Sequence, residues 1–207
     1  MSDNLTISEI TYPVMEHFYT IQGEGFYTGH AAYFVRLGGC DVGCVWCDVK
    51  DSWDASKHPL MSIESIVSQV TEAKASLCVI TGGEPAMYDL TPLVDALHDK
   101  GIQVNIETSG AYTIQGNIDW VCLSPKKFKF PIIENLAKAD EFKAVVYHPS
   151  DIAWAVSFVK DLKKECRLYL QPEWSKAEQV TPLIIDFVKS NPQWLISLQT
   201  HKFLNIP

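Results

Sequence analysis

Cations are scarce in this 207-residue chain: 17 Lys and Arg stand against 25 Asp and Glu, a formal net charge of −8. No stretch gathers Lys or Arg into a cluster. A surface that tracks nucleic-acid phosphates needs clustered cations, so the chain is not expected to bind nucleic acid. No apolar run approaches the length that crosses a membrane, and no membrane association is expected. The opening residues, Met1 to Leu5, lack a basic start followed by an apolar stretch, so they do not read as a secretion signal. The expectation is a cytoplasmic protein. Internal repeats, low-complexity tracts and Gly/Ser linkers are also missing, which leaves no place for a boundary. Residues 1–207 are therefore expected to form one domain with a sizeable core. The remaining composition, 47% hydrophobic and 20% charged, is that of an ordinary globular protein.

Six cysteines could in principle form three disulfides, but their placement argues otherwise. Cys40, Cys44 and Cys47 crowd into eight residues, while Cys78, Cys122 and Cys166 lie singly in apolar stretches. In a reducing compartment, clustered thiols point to metal or redox chemistry and scattered ones to core packing.

Short apolar runs alternate with helical patterns along the chain. Strands are expected over 33–37, 77–81, 103–107, 120–123, 142–146, 168–171 and 195–198. Ser62 is placed to cap a helix with Ile63, Ile66, Val67, Val70 and Ala73 on one face. Residues 90–100, 152–163 and 180–189 repeat the helical period, and Gly101 can end the first of these. Alternating strand and helix implies an α/β fold with a mostly parallel sheet. A complete eight-fold barrel needs about 250 residues, so an abbreviated, open, partial (β/α) barrel is expected, with its chemistry at the carboxyl ends of the strands.

The C-x3-C-x2-C spacing of Cys40, Cys44 and Cys47 follows directly on the strand at 33–37. Iron–sulfur cubanes are commonly held by four thiolates; three leave one iron open to another ligand. Gly38, Gly39 and Gly43 let the loop wrap closely around a compact inorganic core. Zinc is the rival reading, but it takes four ligands, usually in separated pairs. Only His58 and His30 are near enough in sequence to supply a fourth, and neither has a partner at ligand spacing. Downstream, Ile80, Thr81, Gly82, Gly83, Glu84 and Pro85 carry a strand into a Gly-Gly turn, whose backbone can approach a ligand closely.

Together the triplet and this turn resemble the radical S-adenosylmethionine superfamily, whose fold the partial barrel matches. Further motifs narrow the resemblance: Tyr19-Thr20-Ile21-Gln22-Gly23-Glu24-Gly25, Phe34-Val35-Arg36-Leu37-Gly38-Gly39-Cys40, Glu107-Thr108-Ser109-Gly110, Ser124-Pro125-Lys126, Gln171-Pro172, and the closing Gln199-Thr200-His201-Lys202-Phe203-Leu204-Asn205-Ile206-Pro207. In this order they resemble the 7-carboxy-7-deazaguanine synthase family over nearly the whole chain. The resemblance implies conversion of 6-carboxy-5,6,7,8-tetrahydropterin to 7-carboxy-7-deazaguanine with loss of ammonia, on the route to queuosine and other deazapurines. It further implies a 4Fe-4S cluster on Cys40, Cys44 and Cys47, S-adenosylmethionine as a second cofactor, an electron donor such as flavodoxin or ferredoxin, and a homodimer. By the same resemblance, Trp46, Cys47, Asp48, Gly83, Ser124, Pro125, Lys126, Gln171, Pro172, Glu173 and Trp174 contact S-adenosylmethionine. Ile21, Gln22, Gly23, Arg36, Thr81 and Pro207 contact the substrate.

The residue chemistry suits these roles while leaving plainer ones open. Arg36 offers a planar fork for a carboxylate, or a structural ion pair. Gln22 can donate and accept at a pterin amide edge, or close a turn. Glu84 and Glu107 are either ligand contacts or turn-stabilising acceptors. One position departs from the family: after the Cys-Asp pair, where the family places a Thr that ligates Mg2+, this chain has Val49, with no side-chain oxygen. Water in place of that hydroxyl would leave a weaker Mg2+ site; a protein donor such as Lys126 would be the metal-free alternative. Two other functions compete. A glycyl-radical-enzyme activase shares the cysteine spacing but often carries a cysteine-rich insert, and this chain has none. A non-enzymatic iron–sulfur or zinc module would not cleave S-adenosylmethionine.

Overall fold

The computed structural model describes residues 10–207; residues 1–9, including the opening read above, lie outside the described residues. The chain begins with β1 (Thr11–Ile21), β2 (Ala31–Leu37) and β3 (Leu60–Ser62), followed by α1 (Ile63–Glu72). Next come β4 (Leu77–Gly82), α2 (Thr91–His98), β5 (Gln103–Thr108) and β6 (Trp120–Leu123). The second half runs through α3 (Ile133–Lys138), β7 (Glu141–Val146), α4 (Ser150–Val156) and β8 (Arg167–Pro172), then α5 (Ala177–Ser190), β9 (Trp194–Ile196) and α6 (Thr200–Leu204).

Among the described residues these strands make one sheet in the order β3-β1-β2-β4-β5-β6-β7-β8-β9. From β2 to β9 every neighbouring pair is parallel, while β1 runs antiparallel to both β2 and β3. The first and last strands do not pair, so the barrel is open as expected. Parallel strands covered by crossover helices are apolar on both faces, which is why they appear in the sequence as short apolar runs. In α1, Ile63, Ile66, Val67 and Val70 are buried against the sheet, and Ser62 Oγ accepts from Ser65 N at 3.2 Å as the cap. Each such side chain contributes about 1.5–3 kcal/mol on burial. Gly101, at φ +70°, ends α2 in the left-handed conformation that favours glycine.

Three expectations need correction. The helix expected over 152–163 stops at Val156; Ser157 Oγ donates back to Trp154 O, and Phe158 turns inward against Phe142 and Trp154. The last strand ends at Ile196; Ser197 N still donates to Leu170 O, while its hydroxyl accepts from Gly25 N and donates to Gln171 Oε1. β1, which no expected strand covers, pairs Ile21 with Ala31 at the start of β2. The segment after Ile21 thus enters from the amino side of the parallel strands, so that one motif does not lie at their carboxyl ends.

Candidate active site

The loops that follow β2, β4, β5, β6 and β8 open onto a cavity of about 270 Å³, which reaches down into the sheet's concave interior. Cys40, Cys44 and Cys47 all line it. Their loop is fixed by its backbone: Gly39 N donates to Ser52 O, Cys40 N to Trp53 O and Cys47 N to Cys44 O. Gly39 and Gly43 sit at φ +100° and +74°, where a side chain would be strained. Burial pushes the Cys44 thiol up to about 11, with Lys126 opposing and the neighbouring cysteines adding to it; a bound metal would supply the charge that makes it a thiolate.

Among the described residues, no group of three or more His, Cys, Asp or Glu side chains gathers where it could hold a metal ion. A 4Fe-4S cubane carries iron at alternate corners, with sulfide between, and needs its thiolates on separate irons rather than gathered on one ion. His58 bonds the carbonyl of Asp51 and His30 that of Tyr27, and neither lines the cavity.

The Gly-Gly turn presses against this loop. Gly83 N donates to Leu37 O at 2.9 Å and Glu84 N to Gly39 O at 2.8 Å. A Cβ on Gly83 would stand 2.3 Å from Gly39 O and 2.9 Å from Cys40 Cβ. Glu84 is fully buried: Oε1 accepts from Ala86 N and Thr108 Oγ1, and Oε2 from the Ser109 amide and hydroxyl. Two acceptances per oxygen use up a carboxylate's capacity. Of the two roles left open for Glu84, the structure supports the turn-stabilising one.

On the facing wall, Lys126 Nζ donates to Ser124 O and Ser124 Oγ at 2.6 and 2.7 Å, and lies 5.7 Å from the Trp46 ring centre. Trp46, Asp48, Val49, Gly83, Ser124, Lys126, Gln171, Pro172, Glu173 and Trp174 line the cavity; Pro125 turns the chain between two lining residues and is itself buried off the wall. Burial of Lys126 lowers its ammonium, partly offset by Cys44.

The floor is built by side chains from distant strands. Ile21, Gln22, Gly23, Arg36 and Thr81 all line it, with Arg36 beside Thr81 across the β2–β4 ladder. Arg36 Nε reaches Glu16 Oε1 at 2.6 Å, an ion pair that orients the guanidinium and leaves its terminal nitrogens uncommitted to Glu16. Gln22 does two jobs: its backbone bonds Gly29 and His30 to close a turn, and its Nε2 donates to Glu107 Oε1 at 2.9 Å. Lys143 Nζ lies between Glu24 Oε2 at 2.5 Å and Glu107 Oε2 at 3.3 Å.

The residues that sequence reasoning missed are Lys143, the pairing role of Glu24, and Ser52. Lys143 did leave a signal, a lone cation inside the apolar strand at 142–146. Ser52, buried on the cavity wall, donates to the Val49 carbonyl at 2.6 Å.

Residues 199–207 cover the remaining side. Thr200 donates to Gly23 O through both its amide and its hydroxyl at 2.9 Å, and Lys202 lies 5.1 Å from the Trp174 ring centre. Asn205, left-handed at φ +53°, ends α6 and turns the chain so that Pro207 lines the cavity.

The Radical SAM superfamily model matches residues 34–125, from β2 through the Ser124-Pro125 step. A protein of Flavobacterium psychrophilum named 7-carboxy-7-deazaguanine synthase is 53% identical over 94% of this chain and 92% of its own length. The Escherichia coli K12 protein of that name is 36% identical over 94% and 99%. The crystal structure of QueE from Escherichia coli superposes with a TM-score of 0.83 at 34% identity, covering 91% of this chain and 94% of the other.

Proposed function

The chain belongs to the 7-carboxy-7-deazaguanine synthase family, and from that premise we propose how its cavity carries out the reaction. It is a radical S-adenosylmethionine enzyme of deazapurine biosynthesis, with a 4Fe-4S cluster and S-adenosylmethionine as cofactors. Its substrate in this reading is 6-carboxy-5,6,7,8-tetrahydropterin, which it converts to 7-carboxy-7-deazaguanine with loss of ammonia. One observation carries the proposal: a single cavity takes in the three thiols, the Gly83 turn, and the Gln22, Arg36 and Thr81 floor.

Cys40, Cys44 and Cys47 hold the cluster. Trp46, Asp48, Gly83, Ser124, Lys126 and the segment 171–174 bind S-adenosylmethionine, with Pro125 shaping the turn between two of its contacts. When bound, cluster and S-adenosylmethionine supply an organic radical able to take hydrogen from carbon. The chain's own residues do the positioning. Arg36 grips the substrate carboxylate with the nitrogens not used on Glu16. Lys143 keeps Glu24 ionised and lies against Glu107, so that the two carboxyl groups and Gln22 can meet the donors and acceptors of the pterin ring edge. Ile21, Gly23 and Pro207 shape the pocket, and the segment 199–207 keeps water from the reacting carbon.

Val49 brings no side-chain oxygen to the position of the family's Mg2+ ligand, so a Mg2+ ion would be held weakly there and would depend on oxygens of the substrate and of water. Reduced flavodoxin or ferredoxin supplies the electron, and the enzyme works as a cytoplasmic homodimer. No helix among the described residues is long and apolar enough to cross a membrane. The test is anaerobic reconstitution with iron and sulfide, then mass spectrometry of a reaction with carboxytetrahydropterin, S-adenosylmethionine and reductant. Stoichiometric 7-carboxy-7-deazaguanine and ammonia are expected. Deoxyadenosine without a deazaguanine product would overturn the substrate assignment.

A further inference from the structure

Gln22, Glu24 and Glu107 line two cavities, the large one and a small chamber of about 10 Å³ behind the floor. That is room for one guest of water's size. Glu141, from the start of β7, is 3% exposed and lines the chamber. Its Oε2 accepts from Phe26 N and from Trp120 Nε1, both at 3.1 Å. Its Oε1 has no hydrogen-bond partner among the described residues. Gly25 keeps the space beside that oxygen open, since a Cβ there would lie 1.9 Å from it.

We propose that this chamber binds one molecule of ammonia, held as ammonium against Glu141 Oε1. The proposal rests on the reading that the reaction in the adjoining cavity releases ammonia. Two donors on the chamber wall are already spent, Gln22 Nε2 on Glu107 and Trp120 Nε1 on the other Glu141 oxygen, which leaves the Asn105 amide and the Tyr27 hydroxyl. Three carboxyl groups, Glu24, Glu107 and Glu141, share one nearby cation, Lys143. A wall rich in acceptors and short of positive charge favours a guest with four N–H donors and a charge over water, which has two donors. Burial pushes the Glu141 carboxyl up, with Lys143 opposing, so it takes a proton more readily than an exposed glutamate. Ammonia that meets a protonated Oε1 takes its proton: the O–H bond breaks, a fourth N–H bond forms, and ammonium is left beside a carboxylate; ammonium already formed docks against the carboxylate directly. Trapped as a cation, the nitrogen has no lone pair with which to attack the product. Tyr27 and Trp120, both partly exposed, close the outer side of the chamber.

The experiment titrates the reconstituted holoenzyme, without substrate, with ammonium chloride at fixed ionic strength and follows thermal unfolding. Sodium and tetramethylammonium chloride are the controls. A saturable rise in melting temperature with ammonium alone is expected, with the half-saturating concentration raised about tenfold or more in Glu141→Gln. Cys122→Leu, which fills the chamber while leaving all three carboxyl groups in the sequence, should abolish the response as well. A shift no larger than sodium gives, or one undiminished in either folded variant, overturns the proposal. Because no turnover is needed, failure to form the deazaguanine would remove the reaction reading and leave this binding result standing.

Discussion

Lys143 Nζ lies 2.5 Å from Glu24 Oε2, and the two side chains are only 3% and 15% exposed. An ion pair removed from water to this degree is costly to break from one side, because the partner's charge is left buried. Lys143→Met strands both Glu24 and Glu107, and should destabilise the protein by about 3–5 kcal/mol. For a chain of this length that lowers the melting temperature by roughly 6–20 °C, readable by calorimetry. A change under about 1 kcal/mol would show that water already reaches the pair.

The same pair sets an acid limit. Burial alone would raise the Glu24 carboxyl; the Lys143 charge and hydrogen bonds with Lys143, Gln199 and Gln171 outweigh it and hold the group at about 2, against an ordinary 4.5. A carboxyl lowered on folding contributes stability that is complete above its unfolded value and fades as pH falls through the folded one. Denaturant unfolding should therefore lose this contribution between pH 4.5 and about 2. In Glu24→Gln the stability curve should be flatter across that window; identical slopes in the two proteins would exclude Glu24 as the source.

Gly83→Ala places a methyl 2.3 Å from the Gly39 carbonyl, which the cluster loop's backbone bonds hold in place. Overpacking against backbone costs about 1–3 kcal/mol, and relief requires the Gly39–Cys40 step to move. Iron and sulfide content after reconstitution should fall while far-ultraviolet circular dichroism stays unchanged. Full cluster loading would mean the loop can give way there.

Arg36→Lys retains the charge but loses the fork, and also the Nε contact with Glu16. KM for the carboxytetrahydropterin should rise by the equivalent of about 1–3 kcal/mol. Cleavage of S-adenosylmethionine without substrate should persist at the wild-type rate. The same KM in both enzymes would leave Arg36 with only its Glu16 ion pair.

Val49→Thr restores a hydroxyl on the wall where Ser52 already bonds the Val49 carbonyl. The Mg2+ concentration needed for half-maximal turnover should fall by about tenfold, the scale on which ligand-shell changes alter metal affinity. Cluster content should not move. Equal activity in chelated buffer before and after the change would mark a metal-independent enzyme.

What the sequence made legible follows from what each element buries. β4 is buried along nearly all its length and reads directly as an apolar run; β5 and β8 turn Glu107 and Gln171 to the cavity but keep enough buried apolar positions to stand out. β1 is antiparallel, with half-exposed residues such as Glu16 and His17 through its second half, and it does not stand out from a loop. The cysteine and glycine motifs were visible because their spacing is local. Pairing of Lys143 with Glu24, 119 positions apart, depends on strand order and could not be read from either neighbourhood. Glu84 shows the opposite limit: its motif was plain, but which partners take up its four acceptor sites emerges only when β4 and β5 lie side by side.

The two bonds from Thr200 to the Gly23 carbonyl join positions 177 residues apart. The parallel strands can assemble one crossover at a time, each closing a modest loop, whereas this link has to wait for both of its platforms. The pocket is therefore the last part of the molecule to be finished, after the sheet that carries it. By the same logic it is the first part to come apart on warming, so the enzyme can lose its grip on substrate while its core is still intact.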